Sequence, residues 1–142
     1  VCGHVEAAVA IPLLHIVDVT ARAILGKGYR KVGLLGTIFT MEHDFYRHRL
    51  ESMHGIETQI PCRGDRLFVN DVIDRELGFG ILKEESRQRF LEIIGHLGEM
   101  GCQGVILGCT EIPLLVKQEH SSIPLFDTTR LHAEAAVRKA LE

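Results

Sequence analysis

Apolar residues in this chain follow two different rhythms. Short unbroken runs, Val32-Gly33-Leu34-Leu35 and Gly104-Val105-Ile106-Leu107, are bounded by glycine and hydroxyl residues, as expected of strands buried on both faces. Between them, apolar residues recur at helical intervals: Leu67, Val69, Val72, Ile73 and Leu77 within 65–77, and Phe90, Leu91, Ile94 and Leu97 within 84–100. The remaining segments fit the same scheme. Val5, Ala8 and Val9 fall on one side of residues 4–10, predicting the end of a helix packed on a sheet and stopped at Pro12. Residues 13–16 read as a short buried strand in which His15 is a hydrogen-bonded core residue. Asp18 opens a helix that closes at Gly26-Lys27-Gly28, and a helix from Thr40 to about residue 52 closes at His54-Gly55. Residues 56–60 and 123–127 read as strands, residues 110–116 and 128–141 as helices.

Strands alternating with helices through short turns predict an α/β layered fold, a mainly parallel sheet flanked by helices. In such folds a ligand sits beyond the carboxyl ends of the strands. Thr37 and Cys109 would both lie there.

Composition narrows the function classes. The chain has 142 residues, 46% hydrophobic and 25% charged, enough for one domain with a real core. Its net charge is −3 with the cations dispersed, which argues against nucleic acid or an anionic membrane as partner. No apolar run approaches the roughly 20 residues of a membrane span. Four cysteines without a CxxC pair, and no secretory signal, read as reduced thiols in the cytoplasm. Eight histidines lack the spacing that sets two ligands on one helix face, so no metal site is expected. The chain opens without Met in what reads as the interior of a fold, which predicts a fragment.

Two stretches carry chemistry. Cys109 falls where a strand becomes a helix, since Thr110 and Pro113 read as a helix start. Unpaired backbone N–H groups and the helix dipole there would pull a thiol down from its usual value of about 8.5. The other reading is a small buried residue filling a crevice. Thr37 and Thr40 place hydroxyls and backbone N–H groups at a helix start, which suits a carboxylate; simple capping by Thr40 is the alternative.

The run Gly108-Cys109-Thr110-Glu111-Ile112-Pro113-Leu114-Leu115, preceded by Gln103-Gly104-Val105-Ile106-Leu107, closely resembles the second-cysteine motif of the aspartate/glutamate racemase family. Glu111, where glutamate racemases usually carry His, places the resemblance in the aspartate racemase branch. Gly36-Thr37-Ile38-Phe39-Thr40 matches the Gly-Thr-x-x-Thr turn that lines the family's substrate site. The likeness extends through Ile11-Pro12-Leu13-Leu14-His15-Ile16, Glu84-Glu85-Ser86-Arg87 and the stretch from Phe126 to Ala133.

The resemblance implies a racemase that uses neither pyridoxal phosphate nor metal, commonly a homodimer, acting on a small amino acid. Two thiols flank the α-carbon, one taking its proton and the other returning one. Cys109 would be one of them, with Thr37, Thr40, Thr110, Glu111 and Phe79 contacting substrate. Two departures matter. Family members carry the first acid/base group in an earlier Cys-Asn-Thr or Thr-Asn-Thr motif, which the helix already under way at residues 1–10 would follow. Residues 1–27 are then expected to be the remnant of an N-terminal lobe, 28–123 a C-terminal lobe carrying the Cys109 motif, and 124–142 a strand and helix packing back on the first lobe. Phe79 also stands where aspartate-specific members can carry a basic residue, implying a broader or less acidic substrate range. A catalytically silent carboxylate-binding domain or an inactive fragment is the competing reading, and related folds also host hydantoin racemases, maleate isomerases and decarboxylases.

Overall fold

A computed structural model describes residues 2–141, the side chains of Cys2 and Glu6 excepted. Four strands form one parallel sheet: β1 (Lys31–Leu35), β2 (Glu57–Gln59), β3 (Val105–Leu107) and β4 (Leu125–Asp127), in the order β2-β1-β3-β4. The chain leaves β1 for its neighbour on one side and later returns to pair on the other. The order therefore reverses between β1 and β3, and a crevice opens beyond their carboxyl ends.

The described residues also form eight helices, α1 (Cys2–Ala8), α2 (Ile16–Gly26), α3 (Ile38–Glu42), α4 (Asp44–His54), α5 (Arg63–Arg75), α6 (Glu84–Glu99), α7 (Ile112–Leu115) and α8 (Thr128–Ala140). None is long and apolar enough to cross a membrane. Although the strands read as continuous apolar runs, their side chains divide between two cores as the pleat requires. Leu35, Val105 and Leu107 face Val69, Val72 and Ile73 of α5 and Phe90, Ile93, Ile94 and Leu97 of α6. Val32, Leu34, Ile106 and Phe126 face Val17, Ala21 and Ile24 of α2 and Tyr46 and Leu50 of α4. Helix α8 packs on α2. Gly33 lets α6 lie close on the sheet, because a Cβ there would come within 2.7 Å of Leu97 Cδ1.

Three expectations are corrected. Residues 13–16 form no strand: Leu13 is 38% exposed, and His15 instead caps α2, its Nδ1 accepting the Val17 N–H at 3.1 Å. This segment is tied to α8 through the Leu14 carbonyl and the His132 ring, 2.9 Å apart, so a side chain takes the place of a strand ladder. The apolar side of α1 is not packed on the sheet, for Val5 and Val9 are 40% and 43% exposed. The helix predicted from Thr40 is two helices. Thr37 caps α3, and His43, extended at φ −79° and ψ 142°, ends it and starts α4.

Helices α2 and α4 are joined by charge. Asp18 accepts from Arg49 Nε and Nη2, both at 2.7 Å, and lies 2.9 Å from His54 Nε2. The Arg49 guanidinium holds the Asp18 carboxyl well below the usual carboxylate range, and His54 adds to the effect against the cost of burial. A carboxyl depressed in the folded state contributes stability above its unfolded value of about 3.9 and loses it as the pH falls. An Asp18→Asn variant is therefore expected to be less stable at pH 7 by about 1–2 kcal/mol, given the partial solvent screening of this pair. Urea titrations at pH 7 and below pH 4 check this, the gap between the two proteins narrowing in acid.

Candidate functional site

The crevice between β1 and β3 is lined by the turns that leave the two strands. The strand pair holds its carboxyl ends in register, Leu35 opposite Leu107, and the Gly108 N–H continues the contact to the Leu35 carbonyl at 2.7 Å. A Cβ on Gly108 would lie 3.0 Å from that carbonyl and 3.3 Å from Thr40 Cγ2. A side chain at this position would press the two chains apart by a few tenths of an ångström. The residues after it, Cys109 to Glu111, are thereby set beside the Thr37–Thr40 turn.

Thr37 is the N-cap of α3. Its Oγ1 accepts the Thr40 N–H at 3.3 Å, and the two hydroxyls stand 3.2 Å apart. The expected cradle of free backbone N–H groups is largely used within the protein. Ile38 N–H donates to Asn70 Oδ1 at 2.8 Å, and Met41 N–H to the Thr37 carbonyl at 3.0 Å. With α3 only five residues long, the turn offers a ligand its hydroxyls before its backbone.

Cys109 is half-buried at the edge of the core formed by α5 and α6. Its thiol donates to Glu111 Oε2 at 2.8 Å. Backbone N–H groups of Glu111 and Thr110 also reach the sulfur and favour the thiolate, as the strand-to-helix position predicts. Burial and the Glu111 carboxylate outweigh them and push the thiol up to about 11, which overturns the expected lowering. The cause is structural. Helix α7 has four residues and Glu111, not Thr110, is its N-cap, so a carboxylate stands where the dipole of a longer helix would have acted. Accepting from the Cys109 thiol and then from the Thr110 side chain lowers the Glu111 carboxyl. The resting proton belongs to sulfur.

The structure thus brings together Thr37, Thr40, Cys109, Thr110 and Glu111. Phe79 lies on the turn Leu77–Phe79, which packs on α7, and is 77% exposed. Arg87 Nε donates to the Leu115 carbonyl at 2.9 Å, anchoring the end of α7, while its guanidinium also pairs with Glu84. At the third strand end, Thr128 Oγ1 donates to the Leu107 carbonyl at 2.9 Å. Sequence reading overlooked Asn70; its one signal was an amide residue in mid-helix between core positions Val69 and Val72.

Comparison with known proteins bears on the family and the fold. A glutamate racemase from Streptococcus gordonii is 28% identical over 106 residues, 74% of this chain and 38% of that enzyme. The crystal structure of a candidate Asp/Glu racemase from Yersinia pestis is 50% identical and superposes with a TM-score of 0.95, covering 99% of this chain and 61% of that one. An aspartate racemase homologue from Pyrococcus horikoshii is 38% identical with a TM-score of 0.92, covering 99% of this chain and 62% of the other. The chain therefore spans about three fifths of each solved structure. Residues 1–136 match the sequence model of the Asp/Glu/hydantoin racemases, and the chain belongs to that family.

Proposed function

We propose that this chain forms one side of the site of a cofactor-independent amino-acid racemase, with Cys109 as one of two acid/base groups. The observation that carries the reading is the Cys109 thiol, bonded to Glu111 at 2.8 Å on the turn that Gly108 sets against Thr40 at the β1/β3 crevice. The hydroxyls bind the substrate carboxylate and so place the α-carbon over the sulfur. A base on the far side removes the α-proton, and the electron pair moves into the carboxylate, where the Thr37 and Thr40 hydroxyls meet the added charge. The Cys109 S–H bond then breaks, its proton forms the new Cα–H bond, and a thiolate remains. A thiol held neutral suits the donor in this direction. Run backwards, the same thiolate takes the proton and the far group returns one.

The far group is assigned to another part of a complete racemase. Cys62 is exposed beside the start of α5, and Cys102 is buried ahead of β3, at the strand end opposite Cys109. The 142-residue chain then binds amino acid without turning it over. Phe79, exposed and apolar near α7, favours a substrate whose side chain needs no cationic partner.

Exchange of the α-proton in heavy water tests the assignment on the protein expressed from its full reading frame, with aspartate, glutamate and neutral amino acids compared. Cys109→Ser is expected to reduce exchange by at least about 100-fold, the scale of a lost general acid/base. Exchange at the parent rate would exclude Cys109. Glu111→Gln removes the charge that opposes the thiolate while leaving the burial, so the thiol falls from about 11 toward its ordinary range. Iodoacetamide should then alkylate Cys109 roughly threefold faster at pH 8 for each unit of that fall, because the gain in thiolate fraction is partly offset by the lower nucleophilicity of a less basic thiolate.

A further inference from the structure

We propose that Asn70 is the positioning residue of the Thr37–Thr40 hydroxyl pair, an inference that rests on the racemase reading of that pair. A five-residue helix cannot hold its own geometry, because nucleation costs more than so few hydrogen bonds return. Helix α3 is held at both ends by one face of α5. Arg66 Nε donates to Glu42 Oε1 at 2.9 Å, and four residues on, Asn70 Oδ1 accepts the Ile38 N–H at 2.8 Å.

The two tethers differ in strength of constraint. Glu42 is 44% exposed, so that ion pair is solvated and weak. Asn70 meets Ile38 in a part-buried contact, one residue from the Thr37 cap and two from Thr40. Its amide is also oriented. Asn70 Nδ2 donates to Asp74 Oδ2 at 2.8 Å, and since a carboxylate only accepts, the carbonyl oxygen must face Ile38. Asp74, Asn70 and Ile38 form a chain of hydrogen bonds that ends at the turn. Asn70 touches no reacting atom and acts through the turn alone.

The test uses the protein expressed from its full reading frame. Asn70→Ala is expected to raise KM for α-proton exchange roughly 10- to 100-fold, the effect of a small misplacement of a binding group, with the pH profile unchanged because Cys109 and Glu111 are untouched. Hydrogen exchange at the Ile38 amide should accelerate by a similar factor. Should Asn70→Ala fail to fold, Asp74→Ala removes only the bond that orients the Asn70 amide and leaves the Asn70 side chain in place, and a smaller rise in KM is expected. A fall in kcat at unchanged KM would mean only less folded enzyme and would overturn the proposal, as would unchanged protection at Ile38. If the parent itself exchanges no α-proton, the racemase reading fails and takes this inference with it, an outcome recognised because Cys109→Ser is then equally silent.

Discussion

The approach of β3 to β1 is the constraint on which everything else in this molecule depends. Their parallel pairing ends with the Gly108 N–H on the Leu35 carbonyl at 2.7 Å, and a Cβ at 108 would crowd that carbonyl at 3.0 Å. Because the sheet order reverses here, the connections leave β1 and β3 toward opposite sides of the sheet. Two sequence-distant turns are forced together, one carrying hydroxyls and the other a thiol. Their approach is set by the backbone hydrogen bonds of the strand pair.

The electrostatics of that meeting point follow from the length of one helix. A long helix after Cys109 would have presented a positive dipole end to the sulfur. Helix α7 stops after one turn, and Glu111 at its start turns its carboxylate to the Cys109 thiol. The thiol therefore rests protonated, stabilised by a charge-assisted hydrogen bond. Arg87 holds the far end of α7 through the Leu115 carbonyl, so the Cys109 loop is fixed at both ends despite its lack of regular structure.

The packing shows why the site can be well defined on such short elements. Helices α5 and α6 present Val69, Val72, Ile73, Phe90, Ile93, Ile94 and Leu97 to the sheet, and α5 reaches over α3 with Arg66 and Asn70. Precision in α3 comes from a long neighbour, not from its own five residues. The opposite layer is joined through Asp18, Arg49 and His54, which tie α2 to α4 at part-buried positions.

Much of this was determined by the sequence alone. The runs at residues 32–35 and 104–107 specify buried strands, the helical spacing of residues 84–100 specifies α6, and Gly-Cys-Thr-Glu with Gly-Thr-x-x-Thr specifies the family and the pair of turns that meet. These are local patterns, and local periodicity is enough to define them. The tertiary structure decided the rest, because each remaining point depends on a partner distant in the chain or on where an element stops. Residues 13–16 have strand-like composition, yet their bonds go to α8 and to the cap of α2. The Asn70 contact joins positions 32 residues apart. The direction of the Cys109 shift turned on burial and on one carboxylate against two backbone N–H groups, a balance set by three-dimensional distance and invisible in the order of residues.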